Sequence, residues 1–203
     1  RVATEGIYRR YPKCICDVLM NFLGTHDTER ILTVLGGESG EGRTTEELAH
    51  MRMNGEQLRT GINRLKRAYV IVSAMFGVPS VFYGDEAGIE GYGDPFCRRP
   101  YPWNRQNDEL VSFFRCIGRI RRSERVFREG FFRLLICTPE LFVFERYNDE
   151  ERLTICVTRG KGVSYEFRVP SCCLADTSNS GFEGMFLKKA ELVADAAYIF
   201  KEN

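Results

Sequence analysis

The amino-acid pattern predicts an α/β segment followed by a small antiparallel β-sandwich. Up to about residue 129, apolar runs that end in polar residues alternate with stretches of helical period. From about Gly130 the apolar period drops to two. Strand, helix, strand, helix is the order of a (β/α) barrel or a doubly wound sheet. With 203 residues and 43% hydrophobic content, the chain can build one good core or two modest ones.

Val18 to Gly24 is a near-continuous apolar run ending in Thr25-His26-Asp27, as in a strand buried on both faces. A Gly-rich loop follows from Gly36 to Gly42, and Thr44-Thr45-Glu46-Glu47 offers a capping-box start for a short helix. Leu58, Ile62, Leu65, Tyr69, Val72 and Phe76 then fall on one face of a longer helix, stopped by Gly77 and Pro79. Ser80 to Tyr83 reads as a second short buried strand, ending at Gly84-Asp85-Glu86. Asp108 to Phe127 reads as another helix, with Leu110, Phe113, Phe114, Ile117 and Ile120 inward. Beyond it Leu153, Ile155 and Val157 alternate with Arg152, Thr154, Cys156 and Thr158, and Tyr165, Phe167 and Val169 alternate with Ser164, Glu166 and Arg168. Leu141 to Arg146 with the turn Asn148-Asp149-Glu150 makes a hairpin. The predicted domains are therefore 1–129 and 130–203.

Lys plus Arg total 29 against 28 for Asp plus Glu, a net charge of +1. That balance argues against nucleic-acid binding through a dominant basic field and against a polybasic membrane segment. No apolar run reaches bilayer-spanning length, and no signal peptide opens the chain. It starts at Arg1, as a piece from inside a longer gene product does. The eight cysteines match no zinc spacing; they read as reduced structural thiols, which points to the cytoplasm.

In a parallel α/β fold the site lies beyond the carboxyl ends of the strands. The two strand ends here carry His26-Asp27 and Asp85-Glu86. A carboxylate there accepts hydrogen bonds from vicinal sugar hydroxyls, and a neighbouring imidazole donates or accepts one. Such contacts strengthen as a sugar ring flattens toward an oxocarbenium ion. A lone Asp at a strand end has a commoner role, capping or stabilising its loop.

Met20 to Arg30, with its strand ending in His26-Asp27, resembles the fourth conserved region of the alpha-amylase superfamily. Gly77 to Glu86 resembles that superfamily's eighth barrel strand, and Asp94 to Trp103 resembles the loop after it in neopullulanase- and cyclomaltodextrinase-like members. Tyr11-Pro12 sits where such enzymes enter the seventh strand. The resemblance implies the last two βα units of a (β/α)8 TIM barrel followed by the β-domain. It further implies that Asp27 is the catalytic transition-state stabiliser and that His26 binds sugar hydroxyls at the cleavage point. Asp94 and Arg98 would contact glucosyl units further along an alpha-glucan oligosaccharide; a local ion pair pinning the loop is their other reading. Asp85 and Glu86 are read as carboxylates that fix loops. Trp103 and Tyr92 either stack on a sugar or pack the loop, and His50 is read as a surface residue.

Retaining glycosidases also need a nucleophile and a general acid about 5 Å apart. The family carries both on the fourth and fifth strands, outside this chain. The expectation is the C-terminal portion of a retaining alpha-glucan hydrolase, acting on starch, pullulan or cyclodextrin only when complete, with no cofactor and no metal ligands in this stretch. Strands built to be covered on both faces would need the N-terminal remainder of the enzyme, self-association, or repacking on the β-domain. The competing reading is a non-catalytic carbohydrate-binding or interaction module derived from such an enzyme. A nucleotide-binding domain has little support, because the Gly36–Gly42 loop has no following Lys-Ser/Thr.

Overall fold

The computed structural model describes residues 2–203. In chain order these form α1 (Val2–Arg10), α2 (Lys13–Cys16), β1 (Met20–Phe22), α3 (Ile31–Gly36), α4 (Thr45–His50), α5 (Gly55–Ala74) and β2 (Val78–Ser80). A 3-10 turn at Phe96–Arg98 precedes α6 (Asp108–Ser123) and α7 (Val126–Glu129). Six strands follow: β3 (Phe131–Cys137), β4 (Leu141–Tyr147), β5 (Arg152–Thr158), β6 (Val163–Asp176), β7 (Phe186–Leu192) and β8 (Ala197–Glu202). Packing divides the chain into two units. The residues up to Asn21, Val70–Pro79 and Ile117–Asn203 form the first; Phe22–Tyr69 and Ser80–Cys116 form the second.

In the first unit β3 to β8 make one antiparallel sheet in the order β3-β4-β5-β8-β6-β7. The 14-residue β6 shifts register against β7 between Glu166 and Ser171. Its early residues and β7 thereby share a core with the strands before them: Phe167, Ala190 and Leu192 cluster with Leu141, Val143, Cys156, Tyr198 and Phe200. The predicted sandwich thus takes the form of a single sheet turned over its own face. This has a consequence for β5, whose alternation predicted one wet face. Leu153 and Ile155 are buried, but so are Thr154, Cys156 and Thr158. Thr158 is accommodated because its hydroxyl donates to the Val193 carbonyl at 2.6 Å.

An aromatic group from α1, the turn after α5, and β3 and β4 covers the sheet's other side. Tyr8, Phe76 and Phe132 have ring centroids 5.3 to 5.7 Å apart, and Phe144 lies 5.3 Å from Phe132. Arg146 on β4 is fully buried in this region. Its Nε donates to the Phe131 carbonyl, Nη1 to those of Ala74 and Met75, and Nη2 to those of Phe127 and Gly130. All five guanidinium donors are used, and two of the acceptors are orphan carbonyls at the end of α5. Arg121 caps the same helix end through the Ser73 and Gly77 carbonyls. The chain leaves α5 through Gly77 at φ +94, where a Cβ would sit 2.4 Å from the Leu19 carbonyl oxygen. No L side chain fits that turn.

In the second unit the predicted capping box is formed. Thr44 Oγ1 accepts from Glu47 N at 3.2 Å, and Glu47 Oε2 accepts from Thr44 N at 2.7 Å. Ile62, Leu65 and Tyr69 bury the predicted face of α5, and Tyr69 stacks on Phe114 of α6 at 3.9 Å.

Several expectations are corrected by the fold. The strand expected over Ser80–Tyr83 lies instead at Val78–Ser80, and the helix expected to reach Phe127 breaks after Ser123. The Ser123 hydroxyl donates to the Ile120 carbonyl there, a local bond that competes with continued helix. Cys137, one of the eight cysteines read as structural thiols, is exposed at the end of β3. The run from Val18 covers only a three-residue β1, whose hydrogen-bonded neighbour among the described residues is β2. With one neighbouring strand and no cover, Val18 is 69% and Met20 65% exposed.

Replacing Arg146 by Leu should cost on the order of 3–5 kcal/mol, because buried carbonyls lose their donors. Arg125→Leu, which removes an exposed pair with Glu129, should cost less than about 1 kcal/mol. Urea unfolding followed by near-UV circular dichroism measures both.

Candidate functional site

The second unit carries every residue singled out for sugar chemistry. After β1 the chain turns at Gly24 into a loop shaped by hydroxyls: Asp27 N donates to Thr25 Oγ1 at 3.3 Å, and Thr25 N donates to Thr28 Oγ1 at 3.1 Å. His26 Nε2 stands 3.0 Å from Asp27 Oδ2. Arg98 Nη2 lies 3.4 Å from Asp27 Oδ1, and its Nε lies 2.9 Å from Asp94 Oδ1. His26, Asp27, Asp94 and Arg98 therefore form one connected cluster, in which each Asp27 oxygen faces a nitrogen. The side chains of His26 and Asp27 are about two-thirds exposed, at 65% and 68%. Exposed pairs of this kind are worth less than about 1 kcal/mol each, so incoming hydroxyls displace them cheaply.

Beneath this open cluster the loop rests on buried groups. The Cys97 thiol donates to the His26 carbonyl at 3.3 Å. Arg30 has no exposed side-chain surface; its Nη1 donates to the Tyr83 carbonyl at 2.6 Å and to Asp85 Oδ1 at 3.3 Å. The guanidinium lies 4.3 Å from the Phe82 ring centroid and 4.6 Å from that of Tyr83. Asp85 sits among Leu23, Ile31, Val81 and Phe114. That burial pushes its carboxyl up to about 6, with Arg30 opposing the shift. Glu86 Oε2 accepts from Gly84 N at 2.8 Å, so both carboxylates after β2 brace loops.

The two aromatics part company. Tyr92 is buried and donates to the Glu38 carbonyl at 3.2 Å, whereas Trp103 is 73% exposed beside Tyr101, with ring centroids 4.6 Å apart. His50 is exposed on α4. Arg30 is the residue that pattern reading missed. Its signal is a single cation between His26-Asp27 and the apolar start of α3, indistinguishable in sequence from a solvated loop residue.

Known proteins match this chain in both sequence and fold. An amylopullulanase from Thermoanaerobacter thermohydrosulfuricus is 36% identical over 141 residues, 70% of this chain and 9% of that protein. A cyclomaltodextrinase from Geobacillus thermopakistaniensis is 27% identical over 157 residues, 75% of this chain and 23% of that protein. Over about 70% of its length the chain is thus similar in sequence to enzymes named amylopullulanase and cyclomaltodextrinase. In fold, the debranching enzyme of Nostoc punctiforme superposes on 97% of the chain with a TM-score of 0.74, at 24% identity and over 38% of its own length. No protein-family profile matches the chain. The chain spans less than a quarter of the length of either of these two relatives.

The raised carboxyl of Asp85 fixes the sign of one pH effect. Its folded value, about 6, lies above the ordinary 3.8. The folded state therefore holds this proton more tightly than the unfolded chain, and stability falls as pH rises from about 4 to about 6. Across that window the protein should lose up to about 3 kcal/mol that an Asp85→Asn variant does not. Chemical denaturation at pH 4 and pH 7 compares the two slopes.

Proposed function

We propose that this chain is the C-terminal portion of a retaining alpha-glucan hydrolase of the neopullulanase or cyclomaltodextrinase type. The observation that carries the reading is the connected His26, Asp27, Arg98 and Asp94 cluster in a family whose relatives bear glucan-cleaving names. In this reading residues 1–129 supply the seventh and eighth barrel strands with their helices, and 130–203 form the C-terminal β-domain. Asp27 stabilises the transition state by accepting hydrogen bonds from vicinal hydroxyls of the sugar being cleaved. His26 holds the same sugar, while Asp94 and Arg98 bind a glucosyl unit further along the chain.

A bound glucan replaces the weak internal partners of Asp27 with its own hydroxyls. Those bonds shorten as positive charge develops on the ring, so the gain falls on the transition state rather than on the ground state. The nucleophile and the general acid come from polypeptide outside these residues. The same absence makes the isolated chain inactive, since a catalytic unit stripped of two members loses far more than a peripheral contact would.

Exposed apolar strand residues support a covering partner. In the first unit Val18, Met20 and Val78 face solvent, and in the second Phe22, Val81 and Tyr83 do. The preceding βα units of the same enzyme are the natural cover, and self-association is the substitute when they are absent.

Two outcomes are expected. Reducing-sugar assays on starch, pullulan and cyclodextrin should show no turnover by the isolated chain. The enzyme joined to its preceding strands should be active and should lose at least about 10³-fold in kcat on Asp27→Asn; turnover by the chain alone would overturn the reading. Sedimentation of the isolated chain should give dimers or larger species that bind an apolar dye, and a sharp dye-negative monomer would exclude the exposed strand faces as a docking surface.

A further inference from the structure

We infer that Arg30, clasped by Asp85, is a positioning residue that sets the orientation of His26 and Asp27; its bearing on catalysis rests on the function proposed above. A Cβ on Gly24 would sit 2.7 Å from Asp85 Oδ2, so the loop's first residue lies directly against that oxygen. The other oxygen, Oδ1, receives Arg30 Nη1 at 3.3 Å. One buried carboxylate thus touches both ends of the segment 24–30, which has His26 and Asp27 at its middle. The Arg30 backbone N–H donates to the Gly91 carbonyl at 2.8 Å, and Nη1 also holds the Tyr83 carbonyl. Both ends of the loop are therefore referenced to the segment after β2, which also carries Asp94, Cys97 and Arg98.

Stability is a poor reason to keep this arrangement. Arg30 Nε and Nη2 are buried and have no acceptor among the described residues. Even with the Phe82 and Tyr83 rings against it, a buried guanidinium with two unmatched nitrogens is less favourable than a well-packed apolar side chain of similar volume. What an apolar residue could not supply is a directional bond to Tyr83 and Asp85, and direction is what the tip of the loop requires.

The chain has two histidines, His26 in the loop and His50 on α4, so ring nitrogen NMR gives a reporter and an internal control. Arg30→Lys keeps the charge but removes the fork, and Asp85→Asn keeps the shape but removes the charge. In both variants the His26 ring cross-peaks should move in the direction seen for Asp27→Asn, while those of His50 and the far-UV spectrum stay as in the parent protein. Unmoved His26 peaks in both folded variants would overturn the inference. So would movement of both histidines together with loss of structure in both variants, which would mark the clasp as purely structural. If one variant fails to fold, the other decides. No substrate enters the measurement: a shift at His26 in an enzyme that proves not to act on glucans would leave the positioning role standing and remove the functional assignment.

Discussion

The contact between Arg30 and Asp85 is the constraint on which the candidate site depends. Both side chains are almost wholly out of solvent, and Asp85 lies among apolar neighbours that favour its protonated form. Ionised and paired, it braces Gly24 on one side and Arg30 on the other. Above it, His26, Asp27, Asp94 and Arg98 are each about half or more exposed, and their mutual pairs are weak and easily exchanged. The arrangement is a rigid base under an exchangeable polar surface. A site that must hold a ligand and then release it needs both.

Arg146 plays the corresponding part in the other unit. Five backbone carbonyls converge on one buried guanidinium, among them those at the end of α5, so the sheet and the segment after the helix share a single donor group. The two arginines differ in how well they are satisfied. Arg146 uses every donor, as a structural group should, while Arg30 leaves two nitrogens without acceptors among the described residues. Incomplete satisfaction in a buried group marks a place where geometry has been favoured over stability.

Local features of this fold were legible in the sequence, and long-range ones were not. The face of α5, the capping box at Thr44 and the loop-bracing role of Glu86 follow from spacing and residue type, because each is settled within a few residues. The insertion of β8 between β5 and β6 is settled by pairing across dozens of residues, which no local period encodes. Packing on both faces of the sheet is equally long-range, and it hides Thr154 and Thr158, whose residue types read as solvent-facing. Arg30 was missed for a related reason: a cation in a polar loop becomes a buried clasp only when Tyr83 and Asp85, more than fifty positions away, are folded against it. The gathering of His26, Asp27, Asp94 and Arg98 is long-range in the same way, since spacing alone does not bring residue 27 to residue 98.

The exposed apolar side chains of β1 and its flanks fit the same picture. Val18, Met20 and Phe22 alternate along a run with the composition of a strand covered on both faces, yet they stand open to solvent. The central claim is that this stretch works as part of a larger glucan-cleaving protein. Native mass spectrometry of the protein isolated from its own cells tests that most directly. The account predicts these 203 residues within a longer polypeptide, or in a tight complex with one, that supplies an Asp nucleophile and a Glu acid. A free 203-residue species that by itself turns over alpha-glucan would contradict it.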